Sequence, residues 1–231
     1  MLCGVTESEP KGRGAGGGTT PLVVETFAIG SLGCNCSLVY ERDSRRAVVI
    51  DPGDDPEALL QAVGERGLKV TQLLHTHAHF DHIGGSDAVK RRLDVPILLH
   101  RDDEELYRRL QEQGLMFGIP VPPPGEVDQF IEEGFEVALG GRKLLTTIHT
   151  PGHSPGSCCF YTEVTGEPLL FAGDTLFRQS VGRTDLPGGD AYALIRSIKQ
   201  RLFELPDESY VVPGHGEHTT LHAEQRHNPF L

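Results

Sequence analysis

Residues 75–85 read HTHAHFDHIGG, placing four histidines and one aspartate in eight positions before two glycines. A lone loop histidine is ordinarily solvated or satisfied by a neighbour, so spacing matters more than number. An i, i+2 pair in extended chain directs both side chains to one face, which aims His77 and His79 together. Asp81 and His82 follow at once, so a second set of donors can face the same place. Carboxylate and neutral imidazole are donors that suit zinc, iron or manganese.

Upstream, VTQLL reads as a strand; downstream, SDAVKRRLD reads as a helix capped by Ser86. The cluster therefore falls on a loop after a strand, where α/β proteins commonly place their chemistry. Three distant segments share one pattern, an apolar strand ending in glycine and a ligand-type residue. IHTPGHSPG leads to His153, LLFAGDTLF to Asp174 and YVVPGHG to His215. Glycine lets the backbone turn sharply and approach a site closely. Convergence of these strand ends would assemble His77, His79, Asp81, His82, His153, Asp174 and His215. Seven donors exceed one tetrahedral ion and suit two ions that share a carboxylate. His75, His100, His149, His218, His222 and His227 carry no such pattern and are expected to be ordinary side chains.

The wider chain has 231 residues, 38% of them hydrophobic, enough for a buried core. With 33 acidic against 21 basic side chains the formal charge is −12, which disfavours nucleic acid and anionic membranes as partners. No apolar run approaches the roughly 20 residues that span a bilayer. The first residues lack a basic segment followed by an apolar one, so the cytoplasm is the expected compartment. Cys3, Cys34, Cys36, Cys158 and Cys159 form no evident disulfide framework and read as small buried hydrophobes. Cys34 and Cys36 would share a strand face, and a soft-metal site there would need further ligands.

Residues 1–20, rich in Gly, Ser, Thr and charge, are expected to be a flexible tail. PLVVETFAIG, CSLVYE and AVVIDPG then read as strands, followed by a helix over PEALLQAVGERG. VPILLH is a further strand, RDDEELYRRLQEQG a charged helix, and Gly118 to Glu126 a proline-rich loop. Four strands lie between Phe135 and Asp174, then a helix near DAYALIRSIKQRLFEL, a strand at SYVVPGH and a short helix near TLHAEQRH. This order implies layered α/β architecture with mixed sheets, and periodicity leaves both a sandwich and one doubly wound sheet open.

Taken in order, THAHFDH, PGHSPGS, AGDTLF and VPGHG closely resemble the motifs of the metallo-β-lactamase-fold hydrolases, from about Val24 to His215. The resemblance implies an α/β (α+β) fold, a four-layer αββα sandwich of two mixed β-sheets. It also implies that His77, His79 and His153 hold one metal, that Asp81, His82 and His215 hold a second, and that Asp174 bridges them. The β-lactam-cleaving zinc enzymes commonly have cysteine where Asp174 stands, whereas aspartate resembles the glyoxalase II (hydroxyacylglutathione hydrolase) branch. SVGRTDLPGGD and RHNPFL resemble its compact bacterial subgroup. Larger glyoxalase II enzymes carry a C-terminal helical region that helps grip glutathione. Only 16 residues follow His215, so residues 21–231 are expected to form one domain without it.

Two divalent ions, zinc first and iron or manganese on the same donors, lower the pKa of a bridging water toward about 7 and polarise a carbonyl. The resemblance thus implies attack of a metal-bridging hydroxide on a small-molecule thioester such as S-D-lactoylglutathione, giving D-lactate and glutathione. Asp81 is the candidate that both ligates and orients the hydroxide. Arg183, Arg178 and Lys143 are candidates for meeting a carboxylate of the thiol moiety. Tyr161 fits either the pocket or the core. Other readings are a persulfide dioxygenase with a single iron, a lactonase or other ester hydrolase, and a non-enzymatic metal- or partner-binding domain. The oligomeric state is not legible.

Overall fold

Neighbouring residues along the central strands belong to different cores. The computed structural model describes residues 21–231, so the expected tail and Cys3 lie outside the described residues. In β1 (Leu22–Ile29), β2 (Cys34–Glu41) and β3 (Arg46–Ile50), Val24, Val39, Val48 and Ile50 face one cluster, while Val23, Leu38, Tyr40, Ala47 and Val49 face another. A strand alternates its side chains between the two faces of its sheet, so each of these strands is covered on both sides.

The first sheet continues through β4 (Lys69–Leu74), β5 (Ile97–His100) and β6 (Gln129–Ile131), in the order β1-β2-β3-β4-β5-β6. Its first two junctions are antiparallel and the rest parallel. The parallel junctions require crossovers. Between β3 and β4 the crossover is α1 (Pro56–Glu65), capped by Asp55, whose side chain accepts from the Ala58 amide at 3.1 Å. Between β4 and β5 lie the one-turn helix α2 (Phe80–Ile83) and α3 (Ser86–Leu93).

After β5 the charged segment forms α4 (Glu104–Arg108) and α5 (Leu110–Met116), a helix interrupted at Arg109. The second sheet contains β7 (Glu136–Leu139), β8 (Arg142–His149), β9 (Cys158–Thr162), β10 (Leu169–Gly173), β13 (Tyr210–Pro213) and β14 (Thr219–Thr220), in the order β14-β13-β10-β9-β8-β7. It is mixed, because β10 and β13 are parallel and the other pairs antiparallel. A small ribbon, β11 (Leu176–Phe177) with β12 (Ser180–Val181), follows Asp174. The helix α6 (Ala191–Ser197) widens to π-type bonding over Ile198–Leu202, and α7 (Leu221–His227) completes the elements.

Phe160, Phe171 and Val212 of the second sheet meet Val39, Val48 and Leu74 of the first, forming the core between the sheets. Leu59, Val63 and Val89 of α1 and α3 cover the outer face of the first sheet. Leu194, Ile198, Leu202 and Leu221 cover that of the second. This is the expected αββα sandwich of two mixed sheets. The free cysteines Cys34, Cys36, Cys158 and Cys159 are all buried within these clusters.

Two local expectations differ. Ser86 does not cap α3; Gly85 takes that position, and the buried Ser86 hydroxyl bonds instead to Nε2 of His75 at 2.7 Å. The histidine cluster is also not all loop, since Phe80 to Ile83 close a helical turn that aims Asp81 and His82 inward.

Candidate metal centre

The C-terminal ends of β4, β8, β10 and β13 bring the seven donors together. His77, His79 and His153 form one group, with Nε2 of His153 lying 3.2 Å from Nε2 of His77 and 2.8 Å from Nδ1 of His79. Their rings meet nearly edge-on, at centroid separations of 4.7, 4.7 and 4.5 Å, so ring edges rather than faces converge. The second group is Asp81, His82 and His215. Nε2 of His215 stands 3.0 Å from Oδ2 of Asp81 and 3.2 Å from Nε2 of His82. Asp174 lies between the groups, with Oδ2 3.5 Å from Nε2 of His153 and Oδ1 3.4 Å from Nε2 of His82.

The donor set fits divalent cations. Among the described residues, Oδ1 of Asp174 is buried without a hydrogen-bond partner. A buried polar atom left in this state is costly unless something else binds it. Burial, reinforced by His82 and His153, holds the pKa of His77 well below the usual histidine value. Burial and His153 likewise push His79 down to about 3. Both are therefore neutral donors at physiological pH. Burial works to raise the Asp174 pKa, but His82, His153 and His215 outweigh it and hold the carboxyl ionised. Burial also opposes charge on His215, yet Asp81 and Asp174 raise its pKa.

The far nitrogens of three rings are held from outside the cluster. Nδ1 of His77 is 3.1 Å from the Thr76 hydroxyl, and Nδ1 of His153 is 2.8 Å from the Arg183 carbonyl. Nδ1 of His82 is 3.0 Å from Oδ2 of Asp51, which also accepts from the Thr76 hydroxyl at 2.7 Å. Such outer partners fix tautomer and ring orientation. The buried Asp103 ties two ligand loops together, accepting from the Ala78 amide at 2.9 Å, the Ser154 hydroxyl at 2.8 Å and the Gly156 amide at 2.6 Å. Asp51 and Asp103 escaped the sequence reading, although Asp51 ends an apolar strand before Pro-Gly, a pattern close to those that marked the ligands.

Close backbone approach completes the cradle. A Cβ on Gly214 would fall 2.1 Å from Oδ1 of Asp174 and 2.8 Å from Cε1 of His82, so only glycine fits.

Two cavities meet at the cluster. One, of about 390 Å3, is bordered by His79, Asp81, His153, Asp174 and His215 together with several apolar side chains. The other is an open groove of about 470 Å3 that shares Asp174, Arg183 and His215 and adds Arg178 and Glu217. Arg183 is ion-paired with Asp185 at 2.7 Å, and Arg178 with Glu217. Lys143 is not brought to either cavity. It belongs to the β7–β8 hairpin, at the opposite end of β8 from His149, and pairs with Glu136 at 2.7 Å. Tyr161 packs beside the core under the second sheet and bonds Glu163.

The other histidines stand apart from the donor cluster. His75 bonds Ser86 and the Leu98 carbonyl, His100 stacks on His149 at 4.0 Å, and His218 meets Tyr210.

The metallo-beta-lactamase superfamily profile matches residues 29–215. The chain belongs to that superfamily. Similar members include the hydroxyacylglutathione hydrolase GloC of Haemophilus influenzae, 36% identical over 90% of this chain and 97% of the relative. The probable metallo-hydrolase YqgX of Bacillus subtilis is 38% identical over 88% of this chain and 94% of that one. Among solved structures, TTHA1623 in a di-iron-bound form is 43% identical with a TM-score of 0.81, covering 88% of this chain and 98% of the other. The superfamily fold binds metal ions, and the two donor groups are candidate positions for them in this metallo-hydrolase.

Proposed function

We propose that the chain is a binuclear metal-dependent thioester hydrolase acting on S-D-lactoylglutathione or a related glutathione thioester. The observation that carries this reading is the placement of Asp174, an oxygen donor with one carboxylate oxygen toward each donor group. His77, His79 and His153 would hold one ion, Asp81, His82 and His215 the other, and Asp174 both. The name of the Haemophilus relative supports the substrate class, and the di-iron form of TTHA1623 supports a pair of ions.

When bound, two divalent ions make hydroxide available at neutral pH and polarise a carbonyl. The chain's own part is positional. Asp81 is 7% exposed and borders the 390 Å3 cavity, where its carboxylate accepts a hydrogen bond from the attacking hydroxide and orients it. Arg183 and Arg178 line the open groove, and each can exchange its present carboxylate for one on the thiol carrier. A new C–O bond forms as the C–S bond breaks, and the proton from water ends on the departing thiolate.

The test combines metal content by plasma mass spectrometry with S-D-lactoylglutathione hydrolysis on the same sample, for wild type and Asp81→Ala. About two ions per chain and turnover that Asp81→Ala abolishes without loss of fold would support the reading. One iron per chain with no thioester cleavage would overturn it, as would wild-type activity in Asp81→Ala.

A further inference from the structure

The 390 Å3 cavity differs in chemistry from the groove beside it. Phe80 of α2, Leu106 of α4, Met116 and Phe117 at the end of α5, Leu32 of the β1–β2 turn and Leu186 converge on it from four separate parts of the chain. Phe80 and Phe117 are in ring contact at 5.4 Å. Leu32, Met116 and Phe117 remain 45%, 66% and 43% exposed at its rim. Large apolar side chains gathered at one concave place, rather than scattered singly, mark a binding surface. The volume lies in the range of small-molecule sites, about 300–1,000 Å3.

Beyond the donor cluster, the cations lining this cavity are Arg109 and Arg183, and both are engaged. Arg109 pairs with Glu112 at 2.7 Å, and Arg183 with Asp185 at the same distance. Glu112 itself borders the cavity, so an anionic group would gain little net attraction there. The groove is more open, and charged side chains make up more of its shorter lining: Asp174, Arg178, Arg183 and Glu217 stand beside Ser180, Phe177 and Val181, and each arginine can trade its paired carboxylate for one on the ligand. The two spaces share Asp174, Arg183 and His215, so a carbonyl at the donor cluster has one arm in each.

From this we infer that the substrate's acyl group is an unbranched or aryl-bearing apolar chain seated in the Phe80–Phe117 cavity, with the polar thiol carrier in the arginine groove. The assignment rests on the thioesterase reading and narrows it: lactoyl, short and hydroxylated, leaves most of the cavity unfilled. Each methylene buried there strengthens binding by about fourfold at full burial.

The test holds the carrier constant. Lactoyl-, acetyl-, butanoyl- and hexanoylglutathione are given to the metal-loaded protein, and S-methyl- and S-hexylglutathione, thioethers that cannot be hydrolysed, are titrated by calorimetry. The expected result is kcat/KM at least tenfold higher for hexanoyl than for acetyl or lactoyl, with S-hexylglutathione binding at least tenfold tighter than S-methylglutathione. Phe117→Asp should bring both ratios toward one, whereas Leu115→Asp, on the exposed neighbour outside the cavity, should leave them unchanged. Lactoyl cleavage with flat ratios would overturn the acyl assignment and leave the thioesterase standing. No cleavage of any thioester would overturn the thioesterase reading. In that case tight S-hexylglutathione binding lost in Phe117→Asp would still support an apolar ligand in the cavity, and equal binding of the two thioethers would overturn that too.

Discussion

Asp51 stands behind His82, its Oδ2 3.0 Å from the ring's Nδ1, on the side away from the donor cluster. That contact leaves Nε2 to face His215, Asp174 and Asp81. Partners of this kind are ordinarily worth about 10–100-fold in metal affinity. Asp51→Asn should therefore weaken the ion held by Asp81, His82 and His215 by that factor, and the His77–His79–His153 ion much less. Stepwise metal titration against a chelator reads both affinities. Two unchanged affinities would show that His82 needs no support from Asp51.

Gly214 tests the bridge from the backbone side. The added methyl of Gly214→Ala would sit 2.1 Å from Oδ1 of Asp174, so either the carboxylate or the strand end must move. The expected outcome is fewer than two ions per chain and a smaller rise in Tm on metal loading, since ligand-linked stabilisation follows affinity. Gly64→Ala is the matching control. It lies in α1 with open space around its Cβ, and should stabilise by about 0.5–1 kcal/mol.

Asp103 joins the Ala78 and Gly156 backbones and the Ser154 hydroxyl although it is fully buried. Burial raises its pKa, with Ser154 and the two amides opposing that rise. Asp103→Ala leaves three donors without their acceptor, and about 3 kcal/mol of stability should be lost in urea unfolding, with metal affinity falling as well. Native stability together with native metal affinity would mean that the two ligand loops hold their positions independently.

What could be read in advance follows from how local each signal is. The alternation of Val48, Val49 and Ile50 is written into consecutive residues, and so is the strand-glycine-ligand pattern that found His153, Asp174 and His215. Asp103 was hidden because RDDEE resembles a solvated helix start, and its partners lie 25–53 residues away. Ser86 misled in the opposite sense. Its hydroxyl suits a cap by local rules, but the unsatisfied Nε2 of buried His75 claimed it. Lys143 preceded a ligand segment in sequence, yet an extended strand advances about 3.3 Å per residue and carried it to the other end of the sheet. The apolar wall made by Leu32, Leu106 and Phe117 belongs to distant segments, so no window of sequence contains it.

The acid limb of stability offers a test away from the metals. Glu25 accepts from the Tyr40 hydroxyl at 2.6 Å and from Nε of Arg66 at 2.7 Å, joining the first sheet to the residue after α1. Burial works to raise its pKa, but Tyr40 and Arg66 outweigh it, and the net shift is downward. The unfolded chain then binds more protons than the folded one as pH falls past the ordinary glutamate value. The contribution is fully present above about pH 5 and is lost as the pH drops through the lowered folded pKa. Glu25 is half-buried, its side chain 18% exposed, and its partner Arg66 is no more exposed than 20%, so some solvent screening remains and the effect is about 1 kcal/mol. Urea unfolding of metal-free protein between pH 6 and pH 3 should show wild type losing its advantage over Glu25→Gln across that interval. A difference independent of pH would mean that Glu25 acts through packing or neutral hydrogen bonds rather than through its charge.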